Sequence, residues 1–344
     1  MKKPPAPDDR PSSRPAGTRP STGVVVDRET VELKRLEKRI GRVHLQQRLG
    51  IEADHATQIF GRGRTVFHIE NWYSIHALIR LTLRCLGLYG WGVRNATSIQ
   101  IRHNEVVIPH LPAAFDGLTL LHLSDLHLDM ADGYPAALIE RLQQVQYDFC
   151  VMTGDFRAKT FGDYQAALAA LAQVRDALHG PIYAVLGNHD SIRMTPGIEA
   201  LGITLLLNEA VALELDGEVI HLAGIDDPHY FQVDNFDKAA QHIPPDSTAI
   251  LLSHSPEPYQ RAAHAGFDLM LSGHTHGGQI CLPGGVALMT NADCPRRFCK
   301  GAWRYHAMQG YTSVGSGASV VGVRFNCPPE ITLHHLRSGS TPDQ

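Results

Sequence analysis

Ser272-Gly273-His274-Thr275-His276-Gly277-Gly278-Gln279 closes the apolar run Phe267-Asp268-Leu269-Met270-Leu271. Leu269–Leu271 has the length and composition of a buried strand, and the glycines beyond it mark where it stops. In extended backbone, residues two apart share a side, so His274 and His276 are expected to face one point. Neutral imidazoles that converge at a strand end suit Zn, Fe, Mn or Ni. A polar loop would explain a lone His-x-His equally well. The rest of the chain separates the two readings.

Four further blocks follow strand-like runs. Leu118-Thr119-Leu120-Leu121 leads into Ser124-Asp125-Leu126-His127, where Asp125 and His127 are again two apart. Phe149-Cys150-Val151 leads into Thr153-Gly154-Asp155, with Gly154 allowing close backbone approach. Ile182-Tyr183-Ala184-Val185 leads into Gly187-Asn188-His189-Asp190. Asn188 and His189 are adjacent, so one can meet a metal while the other faces substrate. Leu251-Leu252-Ser253 leads into His254. Each block alone is weak, but open α/β sheets gather their sites at the carboxyl ends of strands. Asp125, His127, Asp155, Asn188, His254, His274 and His276 are too many for one tetrahedral ion and suit two, with one carboxylate bridging. A His/Asp/Asn shell without thiolate favours Mn, Fe or Zn.

The remaining composition is that of an ordinary globular chain. Of 344 residues, 43% are hydrophobic and 19% charged, and the net charge of −4 provides no basic field for nucleic acid. The six cysteines form no CxxC pair and read as reduced cytosolic thiols, with a Cys294–Cys299 disulfide as the alternative. No leader or spanning helix is expected, so the localisation expected is cytoplasmic, peripheral on the membrane at most.

Residues 1–28 read as a disordered Pro/Ser/Arg-rich tail, and 29–95 as a helical accessory module. Within the module, Leu33, Leu36, Ile40 and Val43 mark an amphipathic helix over Glu29–Leu49 with a basic polar face. A second helix over 72–91 is apolar around most of its girth, carries Arg80 and Arg84, and has aromatic ends. Such a pattern suits a helix lying in a membrane interface, or one packed on protein. Asn95 to Pro109 suggests a hairpin. Residues 96–340 alternate strands (118–123, 149–153, 182–186, 203–207, 211–215, 219–223, 248–252, 269–271, 311–314 and 331–336) with helices (135–146, 164–178, 235–242 and 257–265). The fold class expected is α/β, two mixed β-sheets packed face to face and flanked by helices.

The series Asp-x-His, Gly-Asp, Gly-Asn-His-Asp, His and Gly-His-x-His resembles the calcineurin-like metallophosphoesterase family over about Ile108 to Leu336. Gly-His-Thr-His-Gly-Gly-Gln, with Arg324-Phe325-Asn326-Cys327-Pro328-Pro329-Glu330-Ile331, is similar to its bacterial membrane-associated branch, which includes UDP-2,3-diacylglucosamine pyrophosphatases. The resemblance implies two divalent ions, Mn first, with Fe and Zn as alternatives. Asp125, His127 and His276 would hold one ion, and Asn188, His254 and His274 the other. Asp155 would bridge the two ions, and His189 would stand beside the substrate phosphate. Many family members carry an acid or amide shortly after Gly-Asp, where this chain has Phe156-Arg157. Arg157 is expected to meet a surface acid rather than a phosphate. Asp190 would orient a neighbour or cap a turn, Asp227 would orient a ligand or close a turn, and His122 would be structural.

The function expected is hydrolysis of a phosphodiester or pyrophosphate bond in a lipid-linked substrate, UDP-2,3-diacylglucosamine being the specific case. A soluble phosphatase or nucleotide phosphodiesterase is the alternative, and a non-catalytic metal-bound scaffold the second. The partner expected is therefore a phosphate-containing substrate, with peripheral contact to the inner membrane.

Overall fold

The computed structural model describes residues 28–60 and 73–339. The expected tail, apart from Arg28, and Trp72 therefore lie outside the described residues. Helices α1 (Arg28–Ile40), α2 (Arg42–Phe60), α3 (Tyr73–Cys85) and α4 (Tyr89–Thr97) lead to strand β1 (Gln100–Ile108). The chain continues through β2 (Thr119–Leu123), α5 (Tyr134–Leu142), β3 (Phe149–Met152), α6 (Gln165–Asp176), β4 (Ile182–Ala184), α7 (Thr195–Ala200) and β5 (Thr204–Leu205). Then come β6 (Glu209–Leu215), β7 (Glu218–Gly224), α8 (Phe236–Ala240), β8 (Ala249–Leu252), α9 (Tyr259–His264) and β9 (Leu269–Ser272). The last strands are β10 (Cys281–Leu282), β11 (Val286–Ala287), β12 (Gly301–Tyr305), β13 (Met308–Thr312) and β14 (Glu330–Ser338).

Two six-stranded mixed sheets form, ordered β1-β14-β2-β3-β4-β5 and β12-β13-β9-β8-β7-β6. β2 to β5 run parallel, while β14 is antiparallel to β2 and parallel to β1. In the second sheet β7, β8, β9 and β13 run parallel, flanked by antiparallel β6 and β12. Leu120, Val151, Ile250, Leu252, Leu269 and Leu271 bury one face of their strands between the sheets. The opposite faces, Leu121, Cys150 and Met152 in one sheet and Leu251 and Met270 in the other, lie under helices. Strands buried on both faces read as continuous apolar runs, which explains why the sequence marks them so clearly.

The N-terminal expectations need correction. The helix over Glu29–Leu49 breaks at Gly41, whose φ of +92° is open to a residue without Cβ. The break turns the apolar stripe, leaving Val43 70% exposed while Leu45 joins Leu36 and Ile40 inside. These three share the cluster that covers the first sheet, so this part of the 29–95 segment packs on the main body. The helix over 72–91 likewise divides at Gly87, φ +68°, into α3 and α4. The Asn95–Pro109 hairpin is one strand, β1, because its partner is β14 over two hundred residues away. The Cys294–Cys299 pair is not bonded, and the two sulfurs lie 3.6 Å apart.

His122 is fully buried, with Nε2 against Thr153 Oγ1 at 2.9 Å and His334 at 3.4 Å from its Nδ1. Burial lowers His122 to about 3 and takes His334 well below its ordinary value. The unfolded chain therefore gains protons first as pH drops below about 6.5, and stability should fall from there towards pH 3. Each histidine should contribute about 1.4 kcal/mol per pH unit across that window. Urea midpoints at pH 7, 6 and 5 should show this, and a His334→Asn variant should give the shallower slope.

Candidate metal centre

All seven ligand-type residues emerge from strand ends along one edge of the sandwich. β2 delivers Asp125 and His127, β3 delivers Asp155, and β4 delivers Asn188 and His189. From the second sheet, β8 delivers His254, and β9 delivers His274 and His276. The backbone there is not extended. Asp125, His127, Asp155, His274 and His276 have φ of 51°, 43°, 59°, 71° and 49°. Left-handed non-glycine residues are uncommon and cost on the order of 1 kcal/mol each, so their clustering marks a site that the fold enforces. The turns also correct the expectation that His274 and His276 face one point, since each enters a different group.

One group is His254 Nε2, His274 Nδ1 and Asn188 Oδ1, separated by 2.8, 2.9 and 3.2 Å. The other holds His127 Nε2, His276 Nε2 and Asp125 Oδ1, with the two nitrogens 3.1 Å apart and Asp125 3.5 Å from His276. Asp155 Oδ2 lies between the groups, 3.4 Å from His254 Nε2 and 3.7 Å from His127 Nε2. Backbone carbonyls fix the tautomers. His254 Nδ1 meets Thr153 O at 2.7 Å, His127 Nδ1 meets Arg157 O at 2.8 Å, and His274 Nε2 meets Asn291 O at 2.8 Å. A carbonyl only accepts, so each outer nitrogen donates, and each inner nitrogen has its lone pair to turn inward unless a proton or a cation takes it, as a proton does at His254. Lone pairs 2.8–3.2 Å apart repel unless a positive charge lies among them. The donor set fits a divalent metal site.

The electrostatics of the site agree. Burial takes His127 down to about 3 and holds His274 and His276 well below their usual value, which keeps them neutral. Burial also pushes Asp125 up to about 6. Burial opposes charge on Asp155 and His254 alike. Their mutual attraction, reinforced at Asp155 by His189, wins and holds Asp155 well below the carboxylate range and His254 well above its own. This point in the protein demands positive charge.

Close packing leaves no room for larger residues. A Cβ on Gly273 would meet Ser124 Oγ at 1.8 Å and Asp125 Oδ2 at 2.4 Å, and one on Gly187 would meet Asp155 Oδ1 at 2.2 Å. The buried Asp190 carboxylate accepts from the amides of Asp155 (2.8 Å), Phe156 (2.9 Å) and Gly187 (2.9 Å), tying the β3 and β4 loops together. Arg157 does not reach a surface acid. It is buried, and its guanidinium donates to the carbonyls of His189, Gly162 and Thr160. Asp227 closes a turn through the amides of Tyr230 (2.7 Å) and Phe231 (2.8 Å).

Several further residues brace the site. Arg324, fully buried, donates to Val314 O and Gly317 O, both at 2.6 Å, and lies 3.3 Å from His276 Nδ1. It braces the segment behind His276. His229 packs its ring 4.2 Å from His274 and is held by Glu257 at 2.7 Å. Arg48 of α2 lies over the Phe231 ring and donates to Asp190 O at 2.8 Å. Of these, Arg324 stood in the sequence only as the first residue of the closing segment.

A family model of calcineurin-like phosphoesterases matches residues 118–278. The chain is 31% identical to the metallophosphoesterase YkoQ of Bacillus subtilis (strain 168) over 229 residues, 64% of this chain and 83% of YkoQ. It is 29% identical to the metallophosphoesterase YkuE of the same organism over 244 residues, 66% of this chain and 82% of YkuE. The phosphodiesterase YaeI of Escherichia coli (strain K12) is 28% identical over 256 residues, 69% of this chain and 87% of YaeI.

Asp190→Ala should free the β3 and β4 loops and weaken Mn binding about 10- to 100-fold, with hydrolysis falling in step at limiting metal. Calorimetric Mn titration checks the affinity, and excess Mn should restore part of the rate.

Proposed function

We propose, for a chain that belongs to the calcineurin-like metallophosphoesterase family and is a metal-dependent phosphoester hydrolase, that it uses two divalent ions to cleave a phosphodiester or pyrophosphate bond. The observation carrying this is the pair of donor groups that meet at Asp155 Oδ2. Asp125, His127 and His276 would hold one ion and Asn188, His254 and His274 the other, with Asp155 shared. Bound there, the ions supply an activated water and neutralise phosphoryl charge. Mn is the ion we favour for this shell, ahead of Fe and Zn.

His189 belongs to neither ligand set, and its ring packs edge-on to His127 at 4.8 Å. Its Nδ1 donates to Ala158 O at 2.8 Å, its amide donates to Asp155 Oδ1 at 2.8 Å, and its Nε2 lies 3.8 Å from Asp155 Oδ2. Held at one end only, the ring directs Nε2 towards the phosphoryl group. When protonated, Nε2 stabilises developing charge and passes its proton to the leaving oxygen. No Ser or Cys nucleophile is needed.

The substrate we propose is lipid-linked, UDP-2,3-diacylglucosamine being the specific case. A cavity of about 170 Å³ beside His274 and His276 supports this reading, because Ile79, Ile280, Met289, Val320 and Val321 line it. YaeI, by its name a phosphodiesterase, supports the diester chemistry.

Mn-loaded protein should be assayed on bis-(p-nitrophenyl) phosphate and on UDP-2,3-diacylglucosamine in mixed micelles. Faster turnover of the lipid is expected, and an inert lipid beside an active soluble diester removes the lipid assignment alone. His189→Ala should keep its metal and lose about 10²–10⁴ in kcat.

A further inference from the structure

We propose that α3–α4 and the β10–β11 hairpin together form a face that docks onto an anionic lipid bilayer, beside the mouth of the cavity at the metal centre. Among the described residues, twelve large apolar side chains are exposed, and eight of them lie on these two segments: Leu78, Leu81, Leu86, Trp91, Leu282, Val286, Leu288 and Met289. The helix α3 has apolar residues on both sides. Ile79 and Leu83 pack inward against Val321, Val323 and Phe325, while Leu78 (61% exposed) and Leu81 (59%) point away. An ordinary surface helix places polar residues there.

The two segments are neighbours in space although two hundred residues separate them in the chain. Ile79 and Met289 line the same cavity. Trp91 packs edge-on to Phe325 at 5.4 Å, and Phe325 O accepts from Cys281 N of the hairpin at 2.9 Å. The two segments therefore meet beside the cavity at His274 and His276.

Charge selects the occupant. Residues 73–104 contain Arg80, Arg84, Arg94 and Arg102 and no Asp or Glu, and residues 277–292 contain no charged residue at all. Arg296 lies against the hairpin, its guanidinium 3.4 Å from both Ala287 O and Leu288 O. Exposed leucines with cations at their edges, against a single acid, Asp293, between the hairpin and Arg296, match an acyl surface beneath acidic headgroups. No helix of the described residues is long and apolar enough to cross a membrane. The 13-residue α3 is far too short for the roughly 30 Å hydrocarbon core and lies along the surface. The proposal rests on the lipid-linked reading for its purpose, since a membrane-borne substrate would then reach the cavity without leaving the bilayer.

Vesicle flotation tests docking without any hydrolysis. The full chain should float with phosphatidylglycerol/phosphatidylcholine vesicles, bind pure phosphatidylcholine weakly, and lose affinity as salt rises. Leu78→Asp/Leu81→Asp and, separately, Leu288→Asp/Met289→Asp should each cost about tenfold or more, with thermal midpoints and circular dichroism unchanged. Arg84→Ala/Arg296→Ala should flatten the salt dependence. Absence of flotation overturns the proposal. So do folded variants that float like the parent, or a parent that sediments as a dimer until Leu78→Asp breaks it. Hydrolysis of bis-(p-nitrophenyl) phosphate and of the lipid, measured alongside, reports separately on the substrate reading.

Discussion

The structure depends on a crowd of buried polar atoms directed at one another. The inner nitrogens of His254 and His274 with the Asn188 oxygen on one side, and those of His127 and His276 with Asp125 on the other, face one another a few ångströms apart, with the Asp155 carboxylate between them. No packing of apolar side chains would tolerate such an arrangement, because desolvated like dipoles repel. The fold holds it by spending hydrogen bonds on the outer faces. Thr153, Arg157 and Asn291 offer carbonyls to the outer imidazole nitrogens, and the amide of His274 donates to Asp125 at 3.0 Å. The scaffold thus places its hydrogen bonds where its charge distribution is least satisfied, which is how a preorganised cation site is built.

Two sheets are required to bring these groups together. The first contributes its carboxylates, Asn188 and His127, and the second contributes His254, His274 and His276. The apolar layer of Leu120, Val151, Ile250 and Leu271 fixes the spacing of the two sheets and therefore of the two donor groups. Arg324 and Asp190 do the finer positioning, one behind His276 and the other between the β3 and β4 loops. Both are fully buried ionic groups whose partners are mostly backbone.

Strands and donor residues were legible in the sequence for one physical reason. A strand covered on both faces is an unbroken apolar run, and the residue that ends it is conspicuous when it is Asp, Asn or His. Direction was not legible. Asp125, His127, His274 and His276 leave their strands through left-handed turns, so a two-residue repeat said nothing about where the side chains meet. Long-range partners were equally hidden. Arg157 reads as a surface cation until the carbonyls of Gly162 and Thr160 close around it. The α2 helix reads as an appendage until Arg48 reaches Asp190, 142 positions away. The breaks at Gly41 and Gly87 stood in plain sight as glycines, but within long periodic stretches glycine is tolerated too often to mark a boundary.

The placement of β14 sets the order in which the molecule can be made. This strand, Glu330–Ser338, lies between β1 and β2, pairing with both. A chain leaving the ribosome has produced β1 and β2 long before the strand that joins them exists. Until residues 330–338 emerge, β1 has no sheet to join and the edge of β2 is open to any passing strand. The second sheet, whose strands β6 to β9 are synthesised consecutively, faces no such wait among those four. Biogenesis therefore includes a late insertion between β1 and β2, and that event seals the half of the sandwich that carries both carboxylates.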